Sequence, residues 1–365
     1  MRFRRESKSI MAELKDRYDR QIRVWGIEAQ KRIQGSRVLV VGLQGLNVEA
    51  AKNIVLAGMN VTVQDDTKVL AEDLSFNFFL SPDDVGKSTV EAALPRIHQL
   101  NTHTSVEIER RPIKSLDAAF FEPFTVVLMS AKHTTQEEVL RVNSICRASS
   151  SSSDKKVFFL SDVFGDESWF VSDFGHEFEY QPDKRPKKEA IGGGGGGCGS
   201  GGKGGGEDVM IITDDKLASQ EEDVTVKTES ISFPSLHAVF GKVWSELPSR
   251  HFPLSKTFLK ARLLMLYRDI HGGASPTPQN CESFKTWAAE VLAQNNLEIS
   301  STFPPGELDE FCRTALSVPV VTCSTMGSFL AQEVIKGVSL SGKPGFNVWV
   351  FNCKDYQVRA MPIAN

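Results

Sequence analysis

The stretch from Arg37 to Asp66, RVLVVGLQGLNVEAAKNIVLAGMNVTVQDD, constrains the fold more than any other part of the chain. Val38 to Val41 is a continuous apolar β-branched run, as expected for a parallel strand buried on both faces. Gly42 and Gly45 make a tight turn. A helix follows, with Val48, Ala51 and Val55 on one face and Gly58 as its C-terminal stop. Val61 to Gln64 is the next strand, and Asp65 ends it. An acid there, about 20 residues after the glycines, is what a nucleotide fold uses to hold a ribose hydroxyl.

The phosphate turn itself is damaged. The pattern Gly-x-Gly-x-x-Gly lets bare backbone approach a pyrophosphate, but here the second glycine is Gln44 and the last is Asn47. The Gln44 side chain fills space that phosphates need, and Asn47 is expected to weaken close helix–strand packing. The fold signal is strong and the nucleotide-binding signal is poor.

Further along, the chain alternates strand and helix, as in a doubly wound parallel sheet. Val85 to Leu100 and Gln136 to Cys146 read as helices; Ser105–Glu109, Phe124–Met129 and Lys156–Leu160 read as strands. Trp169–Phe174 and His176–Tyr180 alternate polar and aromatic residues, as antiparallel strands do. Gln181 to Lys188 is then Pro- and Lys-rich, and Gly192 to Gly206 is almost pure glycine, with Cys198 inside it. An acidic stretch continues to about Glu229, so that the whole region lacks core-forming residues. Its glycines make no P-loop, since no strand precedes them and no GK[ST] closes them. Order is expected again from Ile231, with helices at Phe258–Ile270, Phe284–Leu292, Leu308–Leu316 and Met326–Val338. A closing hairpin of Phe346–Phe351 and Tyr356–Met361 ends the chain.

Before the core, Asp16 to Gln34 is helical, with Tyr18, Ile22, Trp25, Ala29 and Ile33 in one stripe and Gly26 splitting it in two. Arg20 and Arg23 fall off that stripe, where a solvated charged face is the ordinary reading.

With 365 residues there is ample chain for a core, and a net charge of −4 with mixed signs argues against a dedicated nucleic-acid binder. No apolar run is long enough to span a membrane. The basic start, MRFRRESKSIMAELK, raises a mitochondrial presequence, against which Glu6 and Glu13 speak. The six cysteines form no CxxC pair, which suits a reducing compartment and gives no zinc site. Cys312 and Cys323 sit on or beside apolar helical patterns and read as core residues.

The segments YDRQIRVWGIEAQKRIQGSRVLVVG, AKNIVLAG, SDVFG, and PVV followed by GSFLAQEVIKG resemble the small, Aos-type subunits of SUMO-activating enzymes. The resemblance runs from about Asp16 to the C-terminus, interrupted by the Gly-rich region. It implies an α/β, ThiF/MoeB-like doubly wound, mostly parallel sheet with a C-terminal antiparallel addition. Residues 16–180 plus 231–365 would form one degenerate, inactive adenylation domain, with 1–15 an N-terminal extension and 181–230 a flexible insert. The YDRQIR-WG segment is shared by ubiquitin-like activating enzymes generally, so a regulatory subunit of the NEDD8 type is the neighbouring alternative. A Rossmann NAD(P) oxidoreductase and a stand-alone adenylating enzyme are the more distant ones.

The resemblance implies a pseudosymmetric heterodimer in which the partner binds ATP and magnesium and carries the catalytic cysteine. This chain would bind no cofactor of its own. Active copies have an Asn-Arg-Gln segment where this chain has Ser75-Phe76-Asn77, a lysine where it has Thr89, and Leu-Asp-Asn where it has Met129-Ser130-Ala131. Asp65, surviving at the ribose position, would be a structural relic, with membership of a weak nucleotide site as the alternative. The arginine of YDRQ in such subunits reaches the partner's ATP, which reverses the bland reading for Arg20 and makes it a guanidinium supplied in trans. The implied partners are the catalytic SUMO-activating subunit, SUMO through the complex and a conjugating enzyme indirectly, with no nucleic acid or membrane. Nucleus, and also cytoplasm, is the expected location.

Overall fold

The computed structural model describes residues 17–148, 155–182, 228–247 and 253–363. The expected extension 1–15, the Gly-rich tract and Cys198 lie outside them. The opening helical region is indeed two helices, α1 (Asp19–Trp25) and α2 (Ile27–Gly35), broken at Gly26, whose φ of 88° a side chain would resist. Of the predicted stripe, Tyr18, Ala29 and Ile33 are buried, while Ile22 and Trp25 are only half-buried.

β1 (Arg37–Val41), α3 (Leu46–Ala57) and β2 (Asn60–Gln64) form the expected unit, and Gly58 caps α3 in the left-handed conformation at φ 100°. Next come α4 (Thr89–Leu100), β3 (Val106–Glu109), a single-turn α5 (Ala118–Phe121), β4 (Val126–Ser130) and α6 (Gln136–Ala148). Helix α4 starts at Thr89 rather than at the predicted Val85. The preceding residues are held otherwise: Gly86 takes φ 86°, its N–H donates to the Val69 carbonyl at 2.8 Å, and Ser88 bridges Lys68.

β5 (Val157–Phe164) runs past the predicted Leu160 and turns back through β6 (Glu167–Asp173). β7 (Phe178–Tyr180) and β8 (Glu229–Ile231) make a separate antiparallel pair in which Tyr180 faces Glu229. The remaining helices are α7 (Leu236–Gly241), α8 (Lys256–Ile270), α9 (Cys281–Gln294), α10 (Ile299–Thr302), α11 (Glu307–Thr314) and α12 (Val320–Ser339). Strands β9 (Val348–Asn352) and β10 (Gln357–Met361) close the chain as the expected hairpin.

Eight strands form one sheet in the order β10-β9-β6-β5-β4-β1-β2-β3. Strands β3, β2, β1, β4 and β5 run parallel, and β6, β9 and β10 add antiparallel. The pleat divides the core. Val38 and Val40 point toward α3, α4 and α12, and Leu39 and Val41 toward α6, α8, α9 and α11. Both faces are therefore covered, which accounts for the unbroken apolar runs in the parallel strands. On the first face α12 crosses α3 so closely that a Cβ on Gly327 would lie 2.6 Å from Glu49 Cβ and 3.0 Å from the Leu46 carbonyl.

Candidate functional site: a nucleotide-type crevice closed by its own side chains

β1 sits between β2 and β4, so chain connections leave in opposite directions at its carboxyl end. In a doubly wound sheet this is where a ligand crevice opens. The turn after β1 forms its floor, with Gly42 at φ 79° and Gly45 at φ 48°. A Cβ on Gly45 would stand 2.5 Å from Val163 Cγ1 of β5, so the glycine here serves close packing.

Each position that departs from the nucleotide pattern has an internal partner. Gln44 is 4% exposed, with its Oε1 3.4 Å from Lys132 Nζ. The same ammonium lies 5.6 Å from the ring centroid of Phe76, itself buried, in cation–π geometry. Gln44, Lys132 and Phe76 thus fill the region where phosphates would approach bare backbone. Asn47 corrects one expectation. It does not loosen the helix–strand contact: its Nδ2 donates to the carbonyls of Val41 and Gly42 at 3.2 and 3.0 Å, and its Oδ1 accepts from Ser161 Oγ at 2.8 Å. A fully buried amide with every group engaged stitches β1, α3 and β5 together.

Asp65 is buried and both its oxygens are taken by its own chain. Oδ2 accepts the Leu43 N–H at 2.9 Å, and Oδ1 accepts the Thr67 N–H at 2.9 Å and Thr67 Oγ1 at 2.6 Å. Thr89 is fully buried behind it, its Oγ1 3.2 Å from Thr67 Oγ1 and donating to the Thr67 carbonyl at 3.2 Å. Asn77, next to Phe76, donates to the Leu43 carbonyl at 3.2 Å. Ser130 Cβ would be 3.1 Å from a Cβ on Gly42.

The structure therefore brings Gly42, Gln44, Gly45, Asn47, Asp65, Phe76 and Thr89 together around one turn. Arg20 is not among them. It projects from α1, exposed and without an ion-pair partner among the described residues, while its neighbour Arg23 is held by Asp19 at 2.8 Å. Sequence reasoning missed Lys132, Thr67 and Ser161 as partners of the crevice. It also missed the ion pair of Asp162 with Arg268 beside it, at 2.5 Å. Only the SDVFG string marked Ser161 and Asp162; nothing local marks the others.

Among the described residues no group of three or more His, Cys, Asp or Glu side chains is placed to hold a metal ion. Cys146, Cys281, Cys312 and Cys323 are buried and Cys353 half-buried. Burial pushes the thiols of Cys146 and Cys323 up to about 12, and that of Cys312 well above the ordinary thiol range. Such sulfurs are poor nucleophiles at neutral pH.

A doubly wound sheet with this turn and this antiparallel edge defines a ThiF-type α/β protein, and residues 18–150 match the ThiF family. SUMO-activating enzyme subunit 1 of Rattus norvegicus is 31% identical over 355 residues, 94% of this chain and 92% of that protein. The Homo sapiens protein of the same name is 31% identical over 352 residues, 94% of this chain and 93% of its own length. The Mus musculus one is 32% identical over 346 residues, covering 92% and 90%. The chain belongs to the family of SUMO-activating enzyme subunit 1.

Proposed function

We propose that this chain is the non-catalytic subunit of a heterodimeric SUMO-activating enzyme, required for ATP-dependent adenylation of the modifier's C-terminal carboxylate. ATP and magnesium are held by the partner subunit, and Arg20 reaches that ATP in trans. The observation that carries the reading is the closed crevice: both oxygens of the buried Asp65 accept hydrogen bonds from its own chain, and Gln44, Lys132 and Phe76 occupy the phosphate region. The same filling argues against a dinucleotide and hence against an NAD(P) oxidoreductase. A guanidinium fixed by the assembled dimer stabilises charge on a triphosphate, so the partner's site is complete only when both subunits are present.

An obligate interface of this kind is large and partly apolar. Its candidates are the first helices and α12, where Val24 is 77% exposed and Val321 62%. The complex acts in the nucleus and also in the cytoplasm, and hands the modifier on to a conjugating enzyme that this chain meets only through it.

Modifier-dependent ATP–pyrophosphate exchange tests the proposal. The chain alone is expected to give none, the reconstituted pair robust exchange, and the pair with Arg20→Ala a loss of about a hundredfold, as for other charge-stabilising donors. Exchange by the chain alone, or undiminished exchange with Arg20→Ala, overturns it.

A further inference from the structure

Helix α1, which carries Arg20, has seven residues and none of them is buried. A helix this short has no stability of its own in water. Its direction must therefore be imposed from outside, and the structure shows by what. Two side-chain relays run from its two ends to the same place, the last turn of α3.

The first relay starts at Tyr18, the N-cap residue of α1, which is 4% exposed. Its hydroxyl accepts a hydrogen bond from Asn101 Nδ2 at 2.8 Å, and the same amide donates to the Val55 carbonyl at 3.0 Å. Asn101 Oδ1 accepts the His103 N–H at 3.2 Å, which fixes which way the amide points. The Tyr18 ring rests on Gly58, where a Cβ would stand 3.0 Å from the hydroxyl oxygen and 3.1 Å from Cζ. The second relay starts at Trp25, the last residue of α1. Its indole N–H donates to Gln30 Oε1 at 2.9 Å, and Gln30 Nε2 donates to the Ala57 carbonyl at 3.2 Å. Gln30 and Asn101 are themselves buried, at 2% and 4% exposed.

Val55 and Ala57 lie in the last turn of α3, whose carbonyls must find donors beyond the i+4 ladder. The Val55 carbonyl also accepts the Gly58 N–H at 3.0 Å, so the first relay shares a capped acceptor while the second uses the Ala57 carbonyl, and together they clamp α1 at both ends against the β1–α3–β2 core. Core packing supplies only part of this, because no residue of α1 is fully buried and only Ile22 and Trp25 among its apolar residues are half-buried. On the outward side Arg20 and Val24 stand one helical turn apart, both exposed, and Asp19 occupies Arg23.

We infer that Tyr18, Gln30 and Asn101 are positioning residues for Arg20, holding α1 so that its guanidinium meets the partner's triphosphate in a fixed place. The inference rests on the proposal that Arg20 acts in trans. A catalytic donor displaced by about 1 Å loses on the order of a hundredfold, so a clamp on its helix has a measurable effect on turnover.

The test is a double-mutant cycle in the reconstituted heterodimer, read by modifier-dependent ATP–pyrophosphate exchange. Tyr18→Phe removes one hydroxyl, and Gln30→Met removes both bonds of its relay at similar volume. With Arg20 present, each is expected to lower kcat about fivefold or more at unchanged modifier KM, and to speed amide hydrogen exchange across residues 19–25. In the Arg20→Ala background the same substitutions are expected to change kcat less than about twofold, since there is no guanidinium left to misplace. Equal losses in both backgrounds would show that the relays support the fold alone, and would overturn the inference while leaving the trans arginine intact. So would full activity of Tyr18→Phe and Gln30→Met when Arg20→Ala is crippled. If Arg20→Ala itself leaves exchange unchanged, the trans reading fails first and the inference falls with it.

Discussion

Arg268 Nη1 lies 2.5 Å from Asp162 Oδ2, joining α8 to the end of β5 through a pair almost wholly removed from water. Two further groups are engaged: Arg268 Nε donates to Ser275 Oγ at 3.1 Å, and Asp162 Oδ1 accepts the Val163 N–H at 2.9 Å. Removing one partner leaves an uncompensated buried charge. Arg268→Ala is expected to cost about 3–5 kcal/mol, and the double change Arg268→Met with Asp162→Asn clearly less. Denaturant midpoints of the purified heterodimer decide it; equal losses for the single and the double variant would count against the charge argument.

Gly327 presents two opposed effects. Alanine is better than glycine in a helix interior by about 1 kcal/mol. Yet the added methyl would stand 3.0 Å from the Leu46 carbonyl and 2.6 Å from Glu49 Cβ, both parts of a packed helix. The steric effect is expected to win, so that Gly327→Ala destabilises by about 1–3 kcal/mol. A rise in melting temperature would mean that α12 can move off α3 at little cost.

Asp65 organises the turn after β1 through three hydrogen bonds. Asp65→Ala would leave the buried Leu43 N–H without its acceptor, at a cost of about 1–3 kcal/mol. Calorimetric titration with ATP should show no binding to the isolated chain before or after the change. Loss of a measurable ATP signal on mutation would instead give Asp65 a ligand to hold.

The buried thiols make a pH-dependent prediction. Cys146 and Cys323 have their pKa values pushed up to about 12 by burial, from a reference of 9.0. Below pH 9 both states keep the protons and the stability contribution is complete. Between about 9 and 12 the unfolded chain releases them and the folded one does not, so stability falls by up to about 1.4 kcal/mol per pH unit for each thiol. Iodoacetamide at pH 8 is accordingly expected to spare Cys146 and Cys323 until denaturant is added, while the half-buried Cys353 reacts. Peptide mapping reads the outcome, and early labelling of Cys146 would contradict the burial.

Much of the fold could be read from local pattern, because the strands of a sheet covered on both faces announce themselves as apolar runs. Val38–Val41 and Val61–Gln64 are recovered nearly residue for residue, as are the Gly26 break and the Gly58 stop. The departures from the glycine pattern at Gln44 and Asn47 are visible in the sequence as well. Their partners are not. Asn47 looked like a packing defect because its hydrogen-bond acceptor role is completed by Ser161, 114 residues away. Lys132 carries no local mark, since its place over Phe76 depends on how β4 and the loop after β2 meet in three dimensions. The start of α4 was misjudged for a similar reason: a tertiary hydrogen bond from Gly86 to Val69 overrides a sequence that is compatible with helix.

The crossing of α12 on α3 also bears on how such a chain is made. Residues 46–57 leave the ribosome long before residues 320–339, so the flank of α3 that α12 covers stays open until those later residues have been made. Strand β6 waits likewise for β9, its later-made neighbour in the sheet. The growing chain thus carries an open flank until α12 and β9 have been made, and that interval is when a chaperone, or an already folded partner subunit, has access to it.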